Sequence, residues 1–422
     1  MAWWFGIKLW KRVFVGLILG IIFGLAVSAM MDPVSAEAFL SKIKVIGDIF
    51  IRLIRMIVVP LVFFSLVAGI YAMGDPKKLG TIGVKAFLLY IFTTFLANLI
   101  GLAMGSIFRP GVGVDLGGAE PKQLGTAQPL AERLMAIIPE NPFAALVQGD
   151  MLAVIFFALL LGVGLLMARE EGQAAGRFFE AASEGILKMT HLIMELAPVG
   201  VFALIAYVAG TKGVATFTAI LSLTLAVYIG CALHMALVYG GIIRFIVRLP
   251  VVNFFRGILD AMMVAYSTSS SSATLPVTIR ATNENLGVQK SVAASVLPLG
   301  ATINMDGTSL YLGIVALFTA QAFGYHLQPE HYPLIALTAA LVSIGTAGVP
   351  SASLFLLSIV LDVFNVSPEH TALVIGFIFP FDRLLDMMRT VVNVTGDATV
   401  ATTVAKWEGE LDEAVYRAKP SS

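Results

Sequence analysis

A run of charged and amide side chains interrupts an apolar part of the chain near its end. Residues 381–397 read FDRLLDMMRTVVNVTGD and follow closely after TALVIGFIFP. At about 100° per residue, a helix gathers six of these side chains within an arc of about 100° on one face: Asp382, Asp386, Arg389, Thr390, Asn393 and Asp397. A guanidinium can grip a carboxylate through two hydrogen bonds, and oxygen-rich neighbours suit hard cations. This stripe predicts a site for an anionic ligand and for cations.

The alternative is an internal Asp–Arg pair that only holds helices together. At the centre of a membrane each charge costs about 2.5–3.5 kcal/mol even on the lenient insertion scale, so such charges face protein or water. Two carboxylates together with Asn393 and Thr390 offer more acceptors than the single Arg389 can satisfy. The surplus favours a binding site.

Two segments rich in small residues precede this stripe. They read YSTSSSSATLPVT, with Ser269 to Ser272 and Pro276, and SIGTAGVPSAS, with Gly348 and Pro350. Small residues leave the backbone approachable, and proline prevents a helix from continuing. We expect each segment to be the tip of a helical hairpin whose half-helix N-terminus points at an anion. A flexible Ser/Gly linker is the alternative, and the closely flanking apolar residues argue against it.

A polar motif follows each of these segments. NMDGT (304–308) follows the first and NVTGD (393–397) the second, and both begin with Asn and have Gly fourth. We expect both motifs to break a helix. Interrupted segments in corresponding positions are typical of transporters built from inverted repeats, with the site near the membrane midplane.

The composition requires a membrane to position these residues. The chain has 422 residues, of which 58% are hydrophobic and 13% are charged, and its mean hydropathy is +0.90. Lys+Arg and Asp+Glu each number 27, so the net charge does not indicate a nucleic-acid partner. Eight apolar runs exceed the roughly 20 residues that span a bilayer: about 13–31, 43–73, 82–108, 129–168, 178–209, 214–247, 289–323 and 370–406. The first run is interpreted as a retained helix because it lacks a small-residue cleavage site.

The linkers between these runs alternate in charge. Basic linkers, such as those with Lys77 or with Arg169 and Arg177, alternate with acidic or neutral ones such as DPVSAEAF. The positive-inside rule then places both termini in the cytoplasm, provided that 252–280 and 333–364 re-enter on the side they left. The sequence thus predicts an all-α polytopic membrane protein with eight transmembrane helices plus two re-entrant helical hairpins, a solvated C-terminal tail and five scattered histidines.

The motifs SSSSATLPVT, NMDGT, GTAGVP and DMMRTVVNVTGD, in this order, make the chain resemble the dicarboxylate/amino acid:cation symporter family over nearly its whole length. The resemblance implies a sodium-coupled symporter of glutamate or aspartate that works by alternating access, and it does not separate the two substrates. A C4-dicarboxylate or proton-coupled symporter of the same fold is the alternative. An intramembrane hydrolase using the serine run is disfavoured, because no histidine lies in that hairpin to act as a base.

The resemblance also implies roles for individual residues. Arg389 with Thr308 would hold the substrate's side-chain carboxylate, and Asp386 with Thr390 its ammonium. The remaining substrate contacts would come from Ser270, Ser271, Asn393 and a lid at Val349 and Pro350. Three sodium sites are implied: Asp397 with carbonyls of Gly300, Asn304 and Asn393; carbonyls of Thr302, Ser343, Ile344 and Thr346 near Met305; and Asp306 with Asn304, Tyr90, Thr93 and Thr94.

The resemblance finally implies an assembly and a division of labour. Residues 1–75 and 129–209 would form scaffold helices 1–2 and 4–5, residues 76–128 helix 3 of a transport unit, and residues 210–422 the transport core. A homotrimer in the plasma (inner) membrane is expected, with an acidic amino acid and the lipid bilayer as partners and no nucleic acid. Family members usually carry a second arginine near the site, but the corresponding positions here are Ser269 and Met387, and Leu312 replaces the proton-carrying glutamate of mammalian carriers.

Overall fold

The computed structural model describes residues 9–71, 79–114, 137–212, 216–344 and 352–418, together with residues 7, 116 and 135. Apart from one bridge between Val288 and Leu411, regular structure in these residues is helical. The helices are α1 (Leu9–Met30), α2 (Pro33–Tyr71), α3 (Val84–Phe108), α4 (Pro142–Gln148), α5 (Met151–Met167), α6 (Arg169–Met194), α7 (Ala197–Lys212), α8 (Thr216–Leu233), α9 (Val251–Gly257), α10 (Leu259–Thr268), α11 (Ser271–Glu284), α12 (Lys290–Ile303), α13 (Asp306–Ala322), α14 (His331–Ile344), α15 (Ala352–Leu361), α16 (Pro368–Glu408) and α17 (Glu413–Arg417).

The predicted all-helical class is confirmed. Four helical segments of the described chain are long and apolar enough to cross a membrane, and α6 with α7 counts as a fifth if this pair, bent by 48°, is one span. They cover Lys11–Met30, Thr81–Phe108, Thr218–Val247 and Lys290–Ala322. The layout of eight spans with two re-entrant hairpins remains a prediction.

Breaks are expected in apolar runs much longer than about 20 residues, and local backbone signals decide where helices begin and end within the predicted runs and linkers. DPVSAEAF is helical from Pro33, because the Asp32 carboxylate caps α2 by accepting from the Ser35 amide (3.1 Å). The run 129–168 is divided at Gly149, whose φ of +73° ends α4. Asp150 then caps α5.

The run 178–209 is also divided, between the end of α6 and the start of α7. Arg169, with a φ of 51°, turns the chain and begins α6, so Arg169 and Arg177 are helical rather than in a linker. Glu195 lies at the bend between α6 and α7 and forms an ion pair with Arg12 of α1. Two Arg12 nitrogens donate to its carboxylate at 2.6 and 3.0 Å.

Glycines allow close packing between helices. Gly16, Gly20 and Gly24 lie along one face of α1, where a β-carbon would collide with backbone carbonyls of α7. Small residues at this four-residue spacing are typical of a helix-packing surface. In the same way, a β-carbon on Gly101 of α3 would meet the backbone of Leu310 in α13. Helix α13 is enclosed, with its residues from Asp306 to Ala320 all buried.

Most described residues of the C-terminal tail are exposed or partly exposed, but the tail is also bonded to the body. Asp412 N donates to the Gly287 carbonyl (2.8 Å), and Tyr416, only 1% exposed, donates from its hydroxyl to the Pro250 carbonyl (3.1 Å). Glu413 accepts hydrogen bonds from Lys406 and Arg417, and these hold the pKa of its carboxyl below the usual value. The tail is therefore fastened to the turns before α9 and α12.

Candidate functional site

The predicted polar stripe lies on one long helix, α16. The six polar or charged residues of the stripe are each at most 7% exposed: Asp382, Asp386, Arg389, Thr390, Asn393 and Asp397. The expectation that NVTGD breaks this helix is wrong, because α16 runs unbroken for 41 residues. Threonine hydroxyls along it satisfy carbonyls one turn earlier, as Thr390 does at Asp386 O (2.8 Å) and Thr395 at Val391 O (2.7 Å).

Arg389 is fully buried and only partly paired. Its Nη2 lies 2.9 Å from Asp382 Oδ1 and 2.8 Å from Asp386 Oδ1. The guanidinium carbon lies 4.0 Å from the centre of the Tyr311 ring. Nε and Nη1 have no hydrogen-bond partner among the described residues. Each of these two buried nitrogens can donate a charge-assisted hydrogen bond to an anionic ligand.

The other predicted motif, NMDGT, does break a helix. Asn304 (φ −87°, ψ 91°) and Met305 (φ −118°, ψ 51°) separate α12 from α13. The new N-terminus of α13 is satisfied by α16, because Asn393 Oδ1 accepts from Gly307 N at 2.8 Å. Asn393 Nδ2 lies 3.2 Å from the Met305 sulfur. The two motifs are thus in direct contact.

One of the three implied sodium sets is brought together around Asp397. Asn304 Nδ2 donates to Asp397 Oδ1 (2.9 Å) and to the Asn393 carbonyl (3.1 Å). Gly300 faces the same carboxylate, and a β-carbon there would collide with it. The Gly300 carbonyl accepts from Asn304 N (2.8 Å). The Asp397 carboxylate and the Asn393 carbonyl thus face the same Asn304 amide nitrogen.

The set implied around Asp306 is only partly assembled. Thr94 Oγ1 donates to Asp306 Oδ1 at 2.6 Å. The hydroxyls of Tyr90 and Thr93 instead donate to the carbonyls of Val296 (3.0 Å) and Tyr90 (3.2 Å). The amide of Asn304, as described above, is turned to Asp397.

Two residues beside Asp306 escaped the sequence analysis. Tyr239 donates to Asp306 Oδ2 at 2.7 Å, and His234 Nε2 lies 3.2 Å from the same oxygen. Both are fully buried in a π-helical turn, His234–Tyr239, that continues α8. The sequence feature that could have indicated them is the presence of a histidine and a tyrosine within the apolar run 214–247.

The set near Met305 is described in part. Thr302 and Ser343 use their hydroxyls within their own helices, at Pro298 O (3.4 Å) and Ala340 O (2.8 Å). Ile344 is the last residue of α14, which packs against α12. Thr346 and the lid residues Val349 and Pro350 lie outside the described residues.

The serine-rich segment forms two helices rather than a flexible linker. α10 ends at Thr268, Ser269 takes a φ of 52°, and Ser270 caps α11 by accepting from Ala273 N (3.1 Å). Ser271, like Thr308 on α13, is 3% exposed. The α10–α11 pair packs through Ala261, Ala265 and Ala281 against Val391 and Val394 of α16. The first tip is thus beside the polar helix.

Comparison with known proteins identifies the family. Residues 9–407 match the model of the sodium:dicarboxylate symporter family. The chain belongs to this family. It is a transporter and not an enzyme, so the expectation against a hydrolase is confirmed.

Several relatives align over nearly the whole chain. The "Proton/sodium-glutamate symport protein" of Bacillus subtilis (strain 168) is 36% identical over 412 residues, 96% of this chain and 93% of the relative. The "Proton/glutamate-aspartate symporter" of Escherichia coli (strain K12) is 36% identical over 378 residues, 87% and 85% of the two chains. The "C4-dicarboxylate transport protein" of Bacillus subtilis is 35% identical over 415 residues, 96% of each.

Proposed function

We propose that the protein takes up glutamate or aspartate together with sodium by alternating access. The buried Arg389 guanidinium carries this proposal, because its Nε and Nη1 have no partner among the described residues and can donate to a side-chain carboxylate. Asp386, one turn away on the same helix, supplies the negative charge that an ammonium requires. The Thr390 oxygen donates to a backbone carbonyl and retains lone pairs that can accept from the same ammonium.

The remaining substrate contacts follow from the break between α12 and α13. Asn393 joins that break to α16, and we assign to it the substrate's α-carboxylate together with Ser270 and Ser271 of the first hairpin. Thr308 lies one residue after Gly307 and would support the Arg389 contact. Val349 and Pro350 would form the lid.

Sodium ions would be cargo bound close to the substrate. The Asp397 cluster is the best assembled of the three sets, followed by Asp306 with Thr94. Sodium neutralises these carboxylates, so that a loaded site crosses the membrane more easily than an empty, charged one. The membrane potential adds about 2.3 kcal/mol per net charge per 100 mV.

We also propose the arrangement that the resemblance implies. Residues 1–75 and 129–209 would form a fixed scaffold in a homotrimer, while residues 76–128 and 210–422 move across the bilayer as a transport unit. Both termini would lie in the cytoplasm, with the protein in the plasma (inner) membrane. The eight spans and two re-entrant hairpins belong to this proposal.

A C4-dicarboxylate symporter is the second candidate. It is favoured by the pairing of Asp386 with Arg389, since a carboxylate already held by a guanidinium is a weaker partner for an ammonium. Relatives with the two kinds of name are also equally similar to this chain. A proton could replace sodium as the coupling ion in either case.

Uptake into proteoliposomes tests these alternatives. Radiolabelled aspartate, glutamate and succinate are offered under an inward sodium gradient, under a proton gradient without sodium, and without any gradient. We expect aspartate or glutamate to accumulate only with sodium. Accumulation of succinate alone would establish the second candidate, and equal uptake in the proton gradient would refute sodium coupling.

A further inference from the structure

Asp306 is a fully buried carboxylate that three side chains approach. Thr94 donates to Oδ1, while Tyr239 and His234 meet Oδ2 at 2.7 and 3.2 Å. These groups come from α3 and from the π-helical turn that continues α8. Three partners satisfy most of the hydrogen-bonding capacity of this carboxylate, so a cation that binds there competes with the hydrogen-bond donors around it.

The Tyr239 hydroxyl has two acceptors within reach. Its oxygen lies 2.7 Å from Asp306 Oδ2 and 3.1 Å from the carbonyl oxygen of Val392 in α16. A phenol carries one proton, so it donates to one acceptor at a time while its lone pairs remain available to another group. Val392 directly precedes Asn393, which caps α13.

The surrounding structure fixes Tyr239 in this position. A β-carbon on Gly396 would lie 2.6 Å from the Tyr239 hydroxyl oxygen, so glycine is what lets the phenol approach α16. On its other side, the ring packs edge-on against His234, with centroids 4.6 Å apart and planes at 81°. The hydroxyl can therefore redirect its proton without any movement of the ring.

We propose that Tyr239 is a positioning residue that couples a cation at Asp306 to the substrate-binding face of α16. Without a cation, the hydroxyl donates to Asp306. A cation at Asp306 repels that proton and attracts the phenol's lone pairs, so the proton turns to the Val392 carbonyl. The stronger bond fixes the backbone beside Asn393 and prepares the cap of α13 for substrate. This inference rests on the proposed function in taking the cation to be sodium.

The test is the replacement Tyr239→Phe, which keeps the ring and removes the hydroxyl. Asp306 keeps Thr94 and His234, so the variant is expected to fold, and its melting temperature without ligands verifies this. Aspartate affinity is measured by calorimetry on purified protein at low and at saturating sodium. We expect the sodium-dependent tightening of aspartate binding to fall at least tenfold, and the melting-temperature rise caused by sodium alone to shrink.

Tyr228→Phe is the matched control. The Tyr228 hydroxyl, like that of Tyr239, lies against a backbone carbonyl of α16: it donates to Leu384 O at 2.8 Å. No contact among the described residues joins Tyr228 to Asp306. We expect this control to keep the sodium dependence of the wild type. If the loss of a tyrosine hydroxyl that bonds to α16 had only a structural effect, both variants would change alike.

A double-mutant cycle separates the possible outcomes. If Tyr239 acts through Asp306, Tyr239→Phe should have no further effect on sodium coupling in an Asp306→Asn background. The inference would be overturned if Tyr239→Phe reduced sodium coupling in the Asp306→Asn background as much as it does in the wild type. It would also be overturned if Tyr239→Phe alone left sodium coupling unchanged. Either result would leave the proposed function intact. A wild-type protein whose aspartate affinity ignores sodium would overturn both.

Discussion

Arg389 is the residue on which substrate choice depends in this proposal. Replacing it by Thr removes the donors for a side-chain carboxylate. Truncating one member of a buried charge pair costs about 2–5 kcal/mol, so we expect aspartate affinity to fall by at least about 30-fold. Serine, a neutral amino acid, should bind the variant at least as well as the wild type. Equilibrium binding to purified protein measures both.

Arg383→Thr provides the comparison for this substitution. Arg383 lies on the same helix and donates to the Ser267 carbonyl (3.1 Å) of α10. Its loss should reduce aspartate affinity much less and should not favour serine. Equal losses in the two variants would mean that the positive charge, rather than its position, matters, and would refute the assignment.

Asp397 tests the cation at the same scale. Asp397→Asn removes a charge from the cluster that Asn304 joins at 2.9 Å. Because coupling between two ligands is reciprocal, the sodium dependence of aspartate affinity should flatten when a sodium ligand is lost. Asp412→Asn, at the exposed cap of α17, is the control and should behave like the wild type. An undiminished sodium dependence in Asp397→Asn would exclude this carboxylate from the cation site.

The sequence was sufficient for some of these residues and not for others. Asp386, Arg389 and Asn393 could be predicted together because one helix with a regular period carries them. His234 and Tyr239 meet Asp306 from a different helix, 72 and 67 residues earlier in the chain. Their π-helical turn also departs from the 3.6-residue period on which such predictions depend.

At the scale of elements, two similar motifs have opposite effects on their helices. The motif NVTGD lies within α16, which continues through it without a break, although Gly396 is in close contact with Tyr239. At Asn304 and Met305 the backbone leaves the helix, and the exposed amide of Gly307 is satisfied by Asn393. The two motifs are alike in sequence, and the structure shows that only NMDGT interrupts its helix.

Gly307 provides a test of this contact between elements. A β-carbon there would lie 2.7 Å from the Arg389 α-carbon, so Gly307→Ala must push α13 away from α16. Overpacking of this kind costs about 1–3 kcal/mol. We expect a lower melting temperature in detergent and weaker binding of both aspartate and sodium.

Gly185→Ala is the matched control for that substitution. Gly185 is exposed in the middle of α6, and a β-carbon there would meet nothing within 4 Å. Alanine in a helix interior is favoured over glycine by about 0.5–1 kcal/mol, so this variant should be equally or more stable. A Gly307→Ala protein as stable as the wild type would show that α13 and α16 are not in tight contact.

At the scale of the whole molecule, hydropathy predicted the class but not the spans. The run 370–406 appears as one span in the sequence, whereas α16 is 41 residues long. Its charged residues near the centre are buried against the surrounding helices. Conversely, the run 129–168 is divided by a left-handed glycine and helix caps, which hydropathy does not register. The tail was expected in solvent because its composition is charged, and its docking depends on backbone bonds to Gly287.

The proposed motion of the transport unit against the scaffold can be tested by locking the two together. Gly69 of α2 belongs to the proposed scaffold and Thr302 of α12 to the transport core. A β-carbon on Gly69 would lie 3.6 Å from the Thr302 β-carbon, a separation that suits a disulfide. The pair Gly69→Cys and Thr302→Cys is introduced with Cys231→Ser, since Cys231 is the one native cysteine. We expect oxidation to abolish aspartate uptake and reduction to restore it.

Binding separates a blocked movement from a damaged site. The Thr302 carbonyl, its implied sodium ligand, is retained in the cysteine variant, so oxidised protein should still bind aspartate and sodium in detergent. Each single-cysteine variant should transport equally well in oxidising and reducing conditions. If α2 and α12 keep their present contact throughout the cycle, the cross-linked protein will transport as fast as its reduced form, and the division into a fixed scaffold and a moving core at this boundary is wrong.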